Sequence, residues 1–285
     1  MSWGIKGIAS LSSPGKTLDE VRSQTSLFAV DVGGTAGATL DARLTELTGK
    51  RFRRLGRFIQ LALSGAVEAT HKSGRKLPPK TTGVFLATGL GNLSDMVPFS
   101  HAIFGDPGFH VSAIQFANSV GNAGAFYIAQ ALGTSGPVLA VSQDEVSFEC
   151  ALLQATELID CGDIELALVG AVDVVMPPVQ DHLARMGHPP DAPLKLAEGS
   201  AWWVLGKSEP SDLATLERVT MQAEDSRESG VFAARDFDVG TSYARGALVP
   251  TLFLEGAKAG ESLDVVSRTR EGLTGRVTVR RRGAP

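Results

Sequence analysis

Cysteine is scarce in this chain of 285 residues: it has two, Cys150 and Cys161. They stand within one predicted helix, about 16 Å apart along its axis, too far for a mutual disulfide. A disulfide framework is excluded, and both thiols are expected to be reduced and buried, as in a cytosolic protein. No apolar run approaches 18 residues and the N-terminus lacks an apolar signal core, so neither a membrane span nor a secretory leader is expected, and the chain reads as cytoplasmic. Histidine is also sparse. His71 ends a predicted helix, and His101, His110, His182 and His188 fall in predicted loops without the His-x-x-x-His or Cys-x-x-Cys spacing of metal sites. An excess of positive charge is missing as well. A net charge of −4 and a pI near 5.8 argue against nucleic acid or an anionic membrane as main partner. The one dense basic patch, Arg276 and Arg280 to Arg282, reads as a solvated end.

What is present is an ordinary core: 43% hydrophobic and 20% charged residues, enough for one compact α/β unit of this length. Ile5 to Leu11 reads as a first strand, ended by Ser12-Ser13-Pro14-Gly15. Residues 16–54 read as loops and short helices. Phe58 to Thr70 has helical spacing, with Phe58, Leu61, Ala62, Ala66 and Ala69 on one face. Thr82 to Thr88 reads as a buried strand, and Ile114 to Leu132 as helical up to the stop at Gly133-Thr134-Ser135-Gly136-Pro137. Further strands are expected at Ser200–Gly206, Leu216–Met221 and Leu273–Val279, and a helix at Ala247–Ala259. Strands alternating with helices imply a layered α/β sheet.

The most informative stretch is 137–175. A strand, Pro137 to Ser142, breaks at Gln143-Asp144-Glu145, becomes a helix from Val146 to Cys161, and returns as a strand from Ile164 to Val175. This is how an α/β fold presents a nucleophile at a helix N-terminus, where N–H groups favour negative charge. The residue presented here is a carboxylate, Glu145. It has two readings: a general base whose pKa burial would raise, or a helix cap stabilised by the first-turn N–H groups.

Other motifs carry less. Gly89-Leu90-Gly91 lacks the third glycine of a dinucleotide loop, and Gly33-Gly34-Thr35 lacks the lysine of a phosphate loop. Ser142 precedes the elbow and Ser147 follows it, so a serine triad is not favoured. No cofactor is expected.

Gly136-Pro137-Val138-Leu139-Ala140-Val141, the elbow, the helix, and Leu166-Ala167-Leu168-Val169-Gly170-Ala171-Val172 resemble the β-ketoacyl synthases of the thiolase-like superfamily. Phe116-Ala117-Asn118-Ser119-Val120-Gly121-Asn122 is similar to the family's "N-S-V-x-N" helix start. Leu196-Ala197-Glu198-Gly199-Ser200-Ala201 resembles its "G-E-G-A" strand, and Ile5 to Ala9 its opening strand. The resemblance implies a thiolase-like layered α/β/α fold, with a ketosynthase-like N-terminal half over 1–207 and a shortened C-terminal half over 208–285.

It also implies what is missing. Glu145, flanked by Gln143 and Asp144, takes the place of the family's catalytic Cys, and no histidine follows residue 188 to supply the family's two. Glutamate cannot form a thioester. Val239 to Leu248 looks like a degenerate start of the second-histidine helix.

The resemblance therefore points to a non-catalytic, chain-length-factor-type partner of an active β-ketoacyl synthase in polyketide, fatty-acid or polyene-type pigment biosynthesis, with acyl carrier protein as an indirect partner. The interface it implies lies near Phe116, Asn118 and Asn122, and the shortened half is expected to leave apolar surface for a partner to cover. Two alternatives stay open: a decarboxylase or other acyl-carrier-dependent enzyme using Glu145 as base, and a homodimeric scaffold.

Overall fold

A computed structural model of the chain describes residues 2–12, 16–17, 37–78, 80–105, 112–175, 179–186, 195–224, 230–233 and 242–283. The strands are β1 (Trp3–Ser12), β2 (Lys16–Thr17), β3 (Thr82–Ala87), β4 (Val138–Val141), β5 (Leu166–Asp173), β6 (Lys195–Leu196), β7 (Gly199–Lys207), β8 (Ala214–Ala223), β9 (Gly230–Ala233), β10 (Ser262–Arg268) and β11 (Leu273–Arg281). The helices are α1 (Gly37–Thr48), α2 (Arg57–Ser73), α3 (Leu93–Phe104), α4 (Ala113–Ser119), α5 (Ala123–Leu132), α6 (Ser147–Cys161), α7 (Val179–Arg185) and α8 (Arg245–Gly256). Nine strands form one sheet in the order β4-β3-β5-β7-β1-β8-β11-β10-β9, and β2 pairs with β6.

The sheet has two characters. β3 runs parallel to both β4 and β5, as strands joined by helical crossovers must. From β5 onward the pairings are antiparallel, through β7, β1, β8, β11, β10 and β9. The junction between the halves is narrow: β1 meets β8 only through Trp3–Leu216, Gly4–Thr215 and Ile5–Ala214.

Burial follows from that layout. Every residue of β3 and β5 is buried, and their side chains alternate between two cores, as a strand covered on both faces requires. Val84, Leu86, Leu168 and Trp202 join α1, α2 and α5 on one side. Phe85, Val169 and Trp203 join α6 and α8 on the other, with Leu216, Val265 and Val277 of the second half packed from beyond those helices. The layers are thus helices, first half-sheet, the pair α6 and α8, and second half-sheet.

The outer face of the second half-sheet has no helix over it among the described residues, and it is mostly polar, with Val266 and Phe232 among its charged side chains. β10 alternates Leu263, Val265 and Ser267 inward with Asp264 and Arg268 outward. Outside, Glu224 receives Arg268 and Arg276, Glu217 pairs with Arg280, and Thr278 donates to Asp264. Charged and hydroxyl side chains cover most of this face, and Phe232 of β9, 41% exposed with Arg268 over its ring, is an apolar residue left on it. The basic patch is no loose end, because Arg280 lies in β11 and Arg282 reaches Thr215, Ser208 and the Glu209 carbonyl.

Other expectations need correction. The helical pattern over 114–132 is two helices, because Val120 is extended (φ −72°, ψ 141°) and Ser112 with Gln115 forms a capping box that starts the first. Cys161 is exposed and Cys150 only partly buried. His101 lies on α3 and His182 on α7, neither in a loop, while Val239 to Thr241 fall outside the described residues. No described helix is long and apolar enough to cross a membrane.

Candidate functional site

The elbow after β4 is real and tightly tied. Asp144, at φ 46°, is one of two non-glycine residues with positive φ among the described residues, a conformation that Asp tolerates better than most. Residues Asp144–Val146 make a 3₁₀ turn before α6 begins at Ser147. The Ser147 hydroxyl accepts the Gln143 N–H at 2.8 Å and lies 2.7 and 3.1 Å from the Asp144 and Thr88 carbonyls, to which it donates. A buried serine committed to three backbone groups is a structural staple, which removes it as a nucleophile.

Beside the elbow, the turn after β3 is pinned by a second buried acid. Asp173, at the end of β5, accepts from Thr88 Oγ1 at 2.8 Å, Leu90 N at 3.0 Å and Gly89 N at 3.1 Å. Burial still dominates those bonds and lifts its carboxyl to about 6. Gly89 is glycine for a steric reason: a Cβ there would lie 2.1 Å from Cγ of Tyr243, the buried ring that roofs this turn.

Glu145 points inward, with 3% exposure. Burial raises its pKa to about 7; its own N–H works against that, Asp144 and Glu271 add to it, and Arg185 opposes it. No side-chain cap bond forms at this helix start. Of the first-turn N–H groups its own favours the carboxylate, and burial outweighs it. Arg185, from α7, reaches Asp144 at 3.5 Å and is itself 57% exposed. The setting is acidic, with Glu145, Asp144, Asp173 and Glu271 against the solvated guanidinium of Arg185 among the described residues. Such a site can hold or pass a proton near neutrality, but it offers no thiol at the elbow. Among the described residues no cluster of ligating side chains suits a metal.

The three residues expected at an interface part company. Phe116 is 58% exposed and Asn122 is exposed. Asn118 is buried, and its amide donates to the Arg54 carbonyl at 2.8 Å while its carbonyl groups accept from Tyr127 and Asn92. It holds α4 to the segment before α2.

Sequence reasoning passed over a wider feature. β4 is the edge strand of the sheet, and its Leu139 is exposed. Met96, Ile103 and Phe104 on α3, Phe116 on α4 and Phe126 on α5 are exposed too. Phe99 and Phe116 stack across α3 and α4 at 5.8 Å. α3 packs on α4, α4 on α5 and α5 on β4. Phe126 and Leu139 thus lie at the strand edge that leads into exposed Ser142 and Gln143 of the elbow, and the remaining apolar residues extend outward from it through α4 and α3.

Residues 6–188 match the family model for the β-ketoacyl synthase N-terminal domain. No curated protein matches the chain. Among solved structures it is similar to the ishigamide ketosynthase/chain length factor, at 19% identity and TM-score 0.71, covering 99% of this chain and 100% of that one. A β-ketoacyl synthase from Burkholderia phymatum is similar at 14% identity and TM-score 0.69, with 98% and 99% covered. A type II polyketide synthase acyl-carrier protein in complex with its ketosynthase bound to the hexaketide also matches, at 13% identity and TM-score 0.66, again with 98% and 99% covered. At these identities the likeness is one of fold: mixed, layered and thiolase-like.

Proposed function

The chain belongs to the β-ketoacyl synthase family, and on that footing we propose that it is a non-catalytic, chain-length-factor-type subunit that pairs with an active β-ketoacyl synthase. One observation carries the reading: an intact nucleophile elbow presents Glu145, a desolvated carboxyl, where forming an acyl thioester needs a thiol. Residues 1–207 are the ketosynthase-like half and 208–285 a shortened second half whose outer face is solvated.

The site of pairing is the rim around β4. Exposed apolar residues bordering an unpaired strand edge favour a partner that adds its own strand and covers Leu139, Phe116 and Phe126. Asn122 lies at that face, and Asn118 supports it from within. Pairing there sets the elbow against the partner, so this subunit shapes the partner's acyl site and meets acyl carrier protein only through it. Polyketide, fatty-acid and polyene-type pigment assembly are the reactions that such a pair serves.

A second reading has its own support. A carboxyl titrating near 7 is poised for proton transfer, which suits decarboxylation of a carrier-bound malonyl group. The two separate by incubating the purified full chain with malonyl- and acyl-loaded carrier protein. The subunit reading expects no covalent acyl-protein, no ketoacyl product and no carbon dioxide. Release of carbon dioxide that is lost in Glu145→Gln overturns it in favour of the enzyme.

A further inference from the structure

Helix α6 carries a second carboxyl one turn beyond the elbow. Glu149 has 0% exposure. Ser267 of β10 donates to its Oε1 at 2.5 Å, and its Oε2 has no hydrogen-bond partner among the described residues. The slot around it is made by two glycines distant in sequence. A Cβ at Gly275 of β11 would stand 2.6 Å from Glu149 Cγ, and one at Gly246 of α8 would stand 3.5 Å from Oε1 and 3.3 Å from Ser267 Oγ. One side chain thus meets α8, β10 and β11, the elements that join the second half-sheet to the elbow helix.

Charge does not compensate it. On its own helix the neighbours are Cys150 and, one turn earlier, Glu145 with Asp144. Arg245 starts α8 next to Gly246, preceded by Tyr243. On the sheet, Arg268 and Arg276 flank Ser267 and Gly275 but emerge on the opposite face, where both bind Glu224. Glu271 lies in the turn between those strands, and Asp173 is held by the turn after β3. Burial is accordingly the largest influence on Glu149, Ser267 and its own N–H oppose it, and no charged side chain figures among them; the carboxyl is raised to about 7.

We propose that Glu149 is a proton-dependent tie between the elbow helix and the second half-sheet. Neutral, it seats in the slot formed by Ser267, Gly246 and Gly275 and holds β10 and β11 against α6. Ionised, with no cation in reach and one oxygen unpartnered among the described residues, it draws water into the slot and lets the half-sheet open about its narrow β1–β8 junction. The inference does not rest on the subunit reading, since it concerns the isolated chain.

The sign is fixed by linkage. The folded carboxyl titrates near 7 and the unfolded one at its ordinary value of 4.5, so its contribution is complete below 4.5 and is lost as pH rises through 7. Hydrogen exchange on the full chain at pH 6 and pH 8.5, corrected for the intrinsic rate, is the test. The wild type loses protection in β10 and β11 over that interval by on the order of tenfold or more beyond what Glu149→Gln loses, the variant keeping only the smaller loss that Glu145 and Asp173 impose. The thermal midpoint of the wild type falls relative to that variant by on the order of 5 °C. Parallel behaviour of the two proteins overturns the proposal. Should Glu149→Gln not fold, the wild type decides: loss confined to β10, β11 and α8 supports the tie, and loss shared equally by β3, β5 and β7 overturns it.

Discussion

Ser147 Oγ accepts the backbone N–H of Gln143 at 2.8 Å and so closes the elbow over Glu145. The hydroxyl is buried and anchors the turn after β3 as well, through Thr88. Ser147→Ala leaves the Gln143 N–H without this acceptor. Loss of stability of about 1–3 kcal/mol is expected from denaturant unfolding, with Glu145 more exposed to solvent.

The pH profile of the isolated chain should be displaced towards acid. Glu145 is raised by burial to about 7 and Asp173, also by burial, to about 6. Each binds a proton more tightly folded than unfolded, so stability falls as pH climbs from the ordinary carboxylate range through those values. Glu145→Gln removes its share. The variant should match the wild type near pH 4.5 and unfold at a higher temperature at pH 8. Equal midpoints at pH 8 would show that Glu145 is not desolvated.

Asn118 was expected at a partner face and is instead an internal brace. Asn118→Ala should cost about 1–3 kcal/mol, because the Arg54 carbonyl and the Tyr127 hydroxyl lose a buried partner. Phe126→Glu, on the exposed rim, should leave the melting of the isolated chain within about 0.5 kcal/mol of wild type. The two thermal scans together separate a brace from a contact.

How much of this could be read beforehand depends on the residues. The unit from β4 through α6 to β5 was legible because Val138 to Val141 and Leu166 to Val172 are continuous apolar runs on either side of a helix with polar ends. β10 was missed although Ser262-Leu263-Asp264-Val265 alternates as a half-buried strand does, because the pattern spans only four residues before Val266 interrupts it. The break at Val120 was invisible for the opposite reason. Apolar spacing continues from Ile114 to Leu132, and it is Asn118, held by Asn92, Arg54 and Tyr127, that fixes the interruption. Glu149 carried no mark at all, since its slot is made by Ser267 and Gly275, more than a hundred positions away.

Restoring the nucleophile should not restore the reaction. Glu145→Cys places a thiol in the elbow, yet no histidine follows residue 188 in the sequence, so donors for an enolate are wanting. Incubation with acyl- and malonyl-loaded carrier protein should give no ketoacyl product by mass spectrometry, whether or not the new thiol becomes acylated. Product formation would mean that the acidic surroundings of the elbow suffice for condensation.

Native mass spectrometry of the full chain co-expressed with an active β-ketoacyl synthase from the same source bears most directly on the subunit reading. The account predicts a complex of one copy of each chain that survives purification and is lost in Leu139→Arg, while that variant melts like the wild type. A monomer or a homodimer that leaves the synthase unbound contradicts it.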